Sequence, residues 1–381
     1  MNTLEARIDE LLAVPPYSLS PEDREPGFLA LLKDELEHAC SRSAAYRNYV
    51  RHWPIDPRAA PRVADLPYLP VSLLKADPPF ALVDSHEIKK TLTSSSTTGQ
   101  VPSRIALDSP TSRRMSKAVI AIAQDFLGEH RRPYLVADVP ASVAQGPEMG
   151  ARGAAIQGLM PFASQLTYCM NPDGDGSLML DRDELLEFAE AHRDSPVLVY
   201  GFTYILWQYL VKPLLAESIS LEMPNVHVLH SGGWKRLQDE AVDKASFNRG
   251  VAHVFGCAME RVIDFYGMVE NVGVIYPDCA EGNKHVPAFA DVIVRDPLTL
   301  EPVGEGKRGM VQVCSVLPTS FPGYLLLTED VAEIVALDGC QCGRRGAAFR
   351  FVGRVPKSEM RGCGNITRKR EMESLQGRAS L

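Results

Sequence analysis

Short apolar segments alternate with helical segments from about residue 80 to residue 285, and this alternation leaves few possible architectures. Apolar runs without polar alternation match strands that are buried on both faces. Strands of this kind, separated by helices, form a largely parallel sheet with helices packed on it. The sequence therefore predicts an α/β fold. The predicted strands are 134–139, 197–200, 226–229 and 262–266, and the predicted helices are about 110–127, 181–192, 202–215 and 244–255.

The regions on either side of this core have different patterns. Apolar residues recur at helical spacing within residues 1–50, and a proline-rich connector over 54–79 should follow the surface in extended form. Beyond residue 285 the chain is rich in short strands, predicted at 291–295, 310–315, 324–327 and 331–336. The predicted units are a helical segment with its connector (1–80), an α/β core (81–285), a β-rich subdomain (286–354) and a C-terminal tail (355–381).

Composition excludes several classes of function. Acidic residues outnumber basic ones by 48 to 40, which argues against nucleic-acid binding as the main activity. The longest apolar stretch, 197–211, is shorter than the roughly 20 residues that span a bilayer, so we expect no membrane span. The N-terminus has no signal-peptide pattern, so the chain is expected to be cytoplasmic. Its eight cysteines should be thiols or metal ligands.

A hydroxyl-rich segment forms the first candidate binding element. Residues 93–98 are six consecutive serines and threonines, and Gly99 follows them. A loop so dense in O–H and N–H donors can fold around a polyphosphate. Hydroxyl-rich loops are also common as solvated linkers, so this pattern alone leaves both interpretations open. Ser109 as N-cap and Pro110 at the first helical position then predict the start of the next helix.

Three further motifs follow in order along the chain. They are Asp-Phe-Tyr-Gly-Met-Val-Glu at 264–270, Leu-Thr-Glu-Asp at 327–330 and Phe-Val-Gly-Arg at 351–354. Together with the hydroxyl-rich loop, they resemble the motifs of the adenylate-forming superfamily. In particular, the chain resembles LuxE-type acyl-protein synthetases from about residue 66 to residue 363, with phenylacetate-CoA ligases as further relatives. The implied fold has helix-flanked, largely parallel sheets and a small β subdomain.

The resemblance implies a nucleotide site. It assigns Tyr266 to stacking on adenine, Asp330 to the ribose hydroxyls, and Arg354 to the ribose or phosphate. Glu270 would hold the Mg²⁺ that accompanies ATP. The phosphate loop would include Ser95, Thr97, Thr98 and Gly99. The loop that contains Gly232 and Gly233 would run along the edge of the adenine.

Each assignment has a structural alternative. Tyr266 could be a core aromatic residue, and Asp330 could cap a turn. Glu270 could begin a helix, where acidic side chains are favoured. Gly232 and Gly233 could form only a tight turn.

The resemblance also implies a reaction. ATP would activate a carboxylic acid, expected to be a fatty acid, as acyl-AMP, and Cys363 near the C-terminus would then take the acyl group as a thioester. A protein such as a reductase would receive it. Two alternatives stay open: an acyl- or aryl-CoA ligase that uses free CoA, and a binding or scaffold subunit without catalytic activity.

Two features depart from the superfamily pattern. Ser96 lies at a position that is usually glycine, which puts the loop geometry in doubt. The larger relatives have a C-terminal lid domain of roughly a hundred residues, whereas only residues 355–381 follow the last motif. We therefore expect no full lid domain, a feature that LuxE-type chains share.

Three cysteines and one histidine form a candidate metal site: Cys279, His285, Cys340 and Cys342. Three thiolates and an imidazole suit tetrahedral zinc, which would have a structural role here because four ligands leave no position for a reacting water. The alternative is four unrelated residues, since free cysteines often behave as small buried hydrophobic groups.

Overall fold

The computed structural model describes residues 3–76, 78–94, 101–143, 148–174, 177–234 and 241–354. Its helices are α1 (Leu4–Leu12), α2 (Pro21–Arg42), α3 (Ala44–Arg51), α4 (Ser109–Leu127), α5 (Ala151–Leu159), α6 (Arg182–Ala191), α7 (Thr203–Ile205), α8 (Lys212–Ala216) and α9 (Lys244–Phe255), with a π-helical segment, Leu206–Val211, between α7 and α8. Within these described ranges, no helix combines the length and the apolar character needed to cross a membrane.

The strands are given in chain order. They are β1 (Leu69–Pro70), β2 (Lys90–Thr93), β3 (Arg104–Leu107), β4 (Arg132–Val136), β5 (Glu148–Gly150), β6 (Ala163–Tyr168), β7 (Met170–Pro172), β8 (Leu178–Leu180), β9 (Val197–Phe202), β10 (Val226–Ser231), β11 (Val262–Gly267), β12 (Ile275–Pro277), β13 (Lys284–His285), β14 (Ala290–Arg295), β15 (Arg308–Ser315), β16 (Leu325–Ala336) and β17 (Ala348–Arg354).

A largely parallel sheet forms the centre of the molecule. Its order is β12-β11-β10-β9-β4-β6, and all pairs are parallel except that of β11 with the edge strand β12. Helices connect these strands, as the sequence pattern indicates, so the predicted α/β fold is confirmed. Helix α9 has the predicted bounds because Asp243 caps its start, accepting from the Ser246 N–H at 2.8 Å, and Gly256 ends it at φ +71°.

A second, antiparallel sheet has the order β13-β17-β16-β15-β14, and β1 pairs with β16 in parallel. The N-terminal helices pack on this sheet, where Ile8, Phe28 and Tyr46 share a hydrophobic cluster with Val313 and Leu326. The prediction of two separate strands at 324–327 and 331–336 is wrong, because a single strand, β16, runs through both.

Two local predictions also need correction. Asp108, not Ser109, is the N-cap of α4, and its carboxylate accepts from the Thr111 N–H at 2.8 Å. The proline-rich connector is not simply extended on the surface: it contains 3₁₀ turns and buries Leu66 and Leu74. Proline restricts the local backbone, but burial of the intervening leucines determines the path of the connector.

Glu35 is a buried acidic residue of α2. It is 1% exposed, and no described residue hydrogen-bonds to its carboxylate oxygens. Burial raises the pKa of Glu35 well above its usual value, against the opposing attraction of Arg114. A carboxyl group with a raised native pKa binds its proton more tightly in the folded state. The free energy of unfolding therefore falls as the pH rises above the unfolded-state pKa of about 4.3.

Glu35→Gln removes this titration. As the pH rises from about 5 to about 8, the free energy of unfolding of the variant should increase relative to that of wild type. Urea denaturation at each pH measures both free energies. Glu37→Gln is the matched control, because Glu37 is an exposed residue of the same helix, and it should leave the pH dependence unchanged. The same pH dependence for Glu35→Gln and wild type would contradict the prediction.

Candidate functional site

Three of the predicted nucleotide residues meet where the two large sheets adjoin. Tyr266, near the end of β11, donates its hydroxyl to Asp330 Oδ2 on β16 at 2.8 Å. Arg354 Nε, at the end of β17, donates to Asp330 Oδ1 at 3.1 Å. Burial, and then the neighbouring Asp330, raises the pKa of Tyr266 well above its usual value, so the hydroxyl keeps the proton that it donates. Asp330 is thus held by groups from both sheets.

A β-bulge on β17 orients the last motif. Phe351 and Arg354 are three residues apart, and regular strand geometry would place them on opposite faces. Their pairing partners on β16 are only two residues apart, so β17 contains one extra residue, Val352. The bulge turns Arg354 to the face that carries Phe351. Gly353 adopts φ +156° there, which L side chains rarely adopt.

The remaining described site residues lie in the turns that follow β10 and β11. Gly232 and Gly233 have φ values of +85° and +60°, so both require the left-handed conformation that glycine permits. A Cβ on Gly232 would also lie 3.4 Å from the Phe202 ring. Glu270 follows β11 and is 6% exposed. As carboxyl ends of parallel strands meet at one edge of a sheet, these turns share the edge at which Tyr266 lies.

The hydroxyl-rich segment connects β2 to β3, which form an antiparallel hairpin. Ser94 and Ser103 close its base: the Ser94 N–H donates to the Ser103 carbonyl at 3.1 Å, and the Ser103 N–H donates to Ser94 Oγ at 2.8 Å. The predicted phosphate-binding residues Ser95, Thr97, Thr98 and Gly99 lie outside the described residues, as does Cys363. Their assignments stay predictions.

The four candidate metal ligands come together in space. One ligand atom each from Cys279, His285, Cys340 and Cys342 lies within 4.8 Å of all the others. Cys342 Sγ is 3.2 Å from His285 Nε2, and Cys279 Sγ is 4.0 Å from Cys340 Sγ. Tetrahedral zinc, with Zn–S bonds of about 2.3 Å and Zn–N bonds of about 2.0 Å, separates its ligand atoms by about 3.5–3.8 Å. The donor set therefore fits zinc in both chemistry and spacing.

The surroundings of the cluster favour metal binding. Burial, and then Arg344, lowers the pKa of His285 to about 4, so its imidazole is neutral, which is the form that binds metal. Asn283 Nδ2 donates to Cys340 Sγ at 3.7 Å, a contact that would orient the sulfur. We therefore retain the prediction of a structural zinc site formed by β13 and the loops that precede β13 and β17.

We expect the purified chain to contain about one zinc ion, as four ligands complete one tetrahedral site. The Cys340→Ser/Cys342→Ser variant should lose the metal and lower the melting temperature by about 5 °C or more, because structural zinc contributes directly to folding energy. Metal analysis and thermal unfolding measure both effects. Cys257→Ser is the control, since Cys257 is outside the cluster. A natively folded, zinc-free wild-type chain would exclude the site.

A buried ion network beside this cluster has no counterpart in the sequence predictions. Lys284 is 3% exposed, and its Nζ lies 2.8 Å from Asp264 Oδ2 and 3.2 Å from Asp278 Oδ1. Asp264 precedes Tyr266 by two residues, and Lys284 precedes His285 directly. The network therefore connects the candidate zinc site to the strand that carries Tyr266. The sequence offers one signal for this network: Asp278 directly precedes Cys279 and Lys284 directly precedes His285, so a charged residue adjoins two of the predicted zinc ligands.

The fold is that of the adenylate-forming ligases. The structure of 2-hydroxyisobutyryl-CoA ligase in an open conformation, in complex with 2-HIB-AMP and CoA, matches 90% of this chain and 77% of that chain, with a TM-score of 0.68 and 17% identity. At this identity the match establishes the architecture.

The sequence match is more specific. The family described as "Acyl-protein synthetase, LuxE" matches residues 2–370. The "Long-chain-fatty-acid--luciferin-component ligase" of Aliivibrio fischeri is 23% identical over 339 residues, which are 86% of this chain and 85% of that protein. The protein of the same name from Vibrio harveyi is 26% identical over 140 residues, 36% of each chain. The chain belongs to the LuxE acyl-protein synthetase family, and the prediction of an ATP-dependent acid ligase is confirmed.

Proposed function

We propose that the chain activates a long-chain fatty acid with ATP and transfers the acyl group to a protein thiol. The observation that carries this proposal is the hydrogen-bonded chain Tyr266–Asp330–Arg354 at the junction of the two sheets. These residues come from three separate motifs and present a carboxylate and a guanidinium together. The names of the two luciferin-component ligases support the choice of a fatty acid.

The first half-reaction joins two anions. A carboxylate oxygen of the acid attacks the α-phosphorus of ATP, the bond to the β-phosphate breaks, and pyrophosphate leaves. Asp330 would accept from the ribose hydroxyls and Arg354 would contact the ribose or phosphate, so the nucleotide is held in line for attack. Glu270 would hold Mg²⁺, which neutralises phosphate charge when bound. No protein nucleophile is needed in this step.

The second half-reaction requires a thiolate. It attacks the acyl carbon of the adenylate, the bond from that carbon to the phosphate oxygen breaks, and AMP leaves. We assign this role to Cys363, which lies within the residues that the family matches. The resulting acyl-protein would deliver its acyl group to a further protein, and a reductase is the acceptor that the family resemblance implies.

Exchange of labelled pyrophosphate into ATP tests the proposal. Exchange should require both Mg²⁺ and a carboxylic acid. Its rate should be highest with long-chain fatty acids. Product analysis in the presence of CoA separates protein acylation from a CoA-ligase reaction, which would give acyl-CoA instead. If the natively folded chain shows no exchange with any carboxylic acid tested, the proposed adenylation is contradicted. A binding or scaffold role is then the alternative that remains.

A further inference from the structure

A short hairpin, residues 278–285, carries two of the four candidate zinc ligands. Cys279 lies near its start and His285 at its end, and the Cys279 N–H donates to the Asn283 carbonyl at 2.8 Å across the turn. The last two residues of the hairpin are β13, which pairs with β17. A metal ion bound by the cluster would therefore hold both ends of the hairpin to the loop that precedes β17.

Lys284 extends from this hairpin to the central sheet. It is 3% exposed, and its Nζ donates to Asp264 Oδ2 at 2.8 Å and to the Asp264 carbonyl at 3.2 Å. Asp264 belongs to β11, whereas Lys284 belongs to β13 at the edge of the antiparallel sheet. Charge-assisted contacts have a defined geometry, and a buried ion pair is costly to break. This contact therefore fixes β11 against β13.

A second polar contact joins the two large sheets through the same strand. The Tyr266 hydroxyl donates to Asp330 on β16. Asp264 and Tyr266 are two residues apart on β11, so their side chains lie on the same face of the strand. A single contact would let β11 pivot against the antiparallel sheet, whereas two contacts along the strand restrict that rotation.

The residues assigned to the nucleotide are divided between these two sheets. Glu270 follows β11 of the central sheet, whereas Asp330 and Arg354 belong to β16 and β17 of the antiparallel sheet. ATP would contact residues from both sheets, so its binding requires that the sheets have one relative orientation. A protein that one ligand has already ordered loses less conformational entropy when a second ligand binds. Metal binding at the hairpin should therefore favour ATP binding.

We propose that Lys284 is a positioning residue that links the candidate zinc site to ATP binding. Through Asp264, it extends the order that metal ligation gives the hairpin to the junction of the two sheets. The inference rests on the proposed function for the identity of the nucleotide, and on the candidate zinc site for the identity of the metal. The metal site then contributes to ATP affinity as well as to stability.

Binding measurements on the wild-type full chain test this linkage without requiring catalysis. Competition with a chromophoric chelator gives the dissociation constant for zinc. Saturating ATP, added as its Mg²⁺ complex, should lower this constant by about 5-fold or more, as expected for coupled sites. Removal of zinc, at a temperature at which the chain stays folded, should raise the dissociation constant for ATP by the same factor, because linkage is reciprocal.

Two variants test the role of Lys284. Lys284→Met keeps the length of the side chain but removes its charge. The zinc-loaded variant should bind ATP about 5-fold or more weakly, and ATP should no longer change its zinc affinity. If Lys284→Met does not fold, Asp264→Asn weakens the same contact while Asp278 still pairs with Lys284, and it should reduce the linkage in the same way.

Lys244→Met is the matched control. Lys244, on α9, lies 2.7 Å from Asp278 and its side chain is 49% exposed, so its removal leaves the contact between Lys284 and Asp264 in place. Exposed ion pairs contribute little, so this variant should bind zinc and ATP within about twofold of wild type.

Several outcomes would overturn the inference. They are a zinc affinity of the wild-type chain that ATP does not change, wild-type ATP affinity in a folded Lys284→Met variant, equal effects of Lys284→Met and Lys244→Met, and a wild-type chain that binds no zinc. A wild-type chain that does not bind ATP would overturn both this inference and the proposed function. Linked binding of zinc and ATP, without pyrophosphate exchange for any acid, would contradict the proposed function alone.

Discussion

Glu270→Gln should reduce acid-dependent pyrophosphate exchange by about two to three orders of magnitude, the usual loss when one group that stabilises developing charge is removed. Glutamine preserves the shape of the side chain but removes the negative charge with which Glu270 would hold Mg²⁺. Glu270 lies three residues after the end of the strand that carries Tyr266, and it is 6% exposed, so the substitution changes the charge of a buried side chain. Exchange at saturating ATP and several Mg²⁺ concentrations measures the effect.

Glu260→Gln is the matched control, because Glu260 is an exposed residue just before β11. It should leave exchange within about twofold of wild type, as expected of a surface site away from special features. Asp330→Asn provides a contrast within the site: it should mainly raise KM for ATP, because Asp330 is assigned to ribose binding. Near wild-type exchange in a folded Glu270→Gln/Asp330→Asn double variant would contradict the adenylation assignment.

The strands of the central sheet could be predicted from the sequence because they are continuous apolar runs. Burial on both faces selects such runs, so β9, β10 and β11 begin at the predicted residues 197, 226 and 262. The bounds of helix α9 could be predicted equally well, since Asp243 and Gly256 are local start and stop signals. These features depend on neighbours in sequence, and they need no knowledge of the tertiary structure.

Strand β16 shows where this reasoning fails. We predicted two strands separated by residues 328–330, yet the polar residues Thr328 and Asp330 both lie within one strand. Thr328 Oγ1 donates to the Val311 carbonyl at 2.8 Å, and Asp330 accepts from Tyr266 and Arg354. Partners that are distant in sequence satisfy these side chains, so their polarity no longer signals a turn.

The candidate site, too, could be predicted from the sequence only in part. The family resemblance implied that Tyr266, Asp330 and Arg354 belong to one site, and in the structure Tyr266 and Arg354 both hydrogen-bond to Asp330. The face of β17 on which Arg354 lies could not be predicted, because it depends on an extra residue in β17 that the sequence does not mark. A β-bulge is defined by pairing with another strand, and that pairing becomes visible only in three dimensions.

The described cysteines narrow the choice of an acyl acceptor. Burial raises the pKa of Cys169 to about 12 and that of Cys257 to about 11, and it raises the pKa values of Cys40 and Cys314 as well. A thiol with a raised pKa is a poor nucleophile at neutral pH, because only the thiolate attacks. The other three described cysteines belong to the candidate zinc cluster. This reasoning favours the eighth cysteine, Cys363.

Cys363→Ser should therefore abolish hydroxylamine-sensitive acyl labelling of the protein while acid-dependent pyrophosphate exchange continues. Cys363 has glycine on both sides, and Arg361, Arg368 and Lys369 lie nearby in sequence, so positive charge would favour its thiolate. Exchange persists because adenylate formation needs no protein nucleophile. Labelling with a radioactive fatty acid, followed by hydroxylamine treatment, measures the thioester, and Cys257→Ser, which should label as wild type does, is the control. Wild-type labelling of Cys363→Ser would assign the acyl group to another thiol, whereas simultaneous loss of labelling and exchange would mean that the tail takes part in adenylation itself.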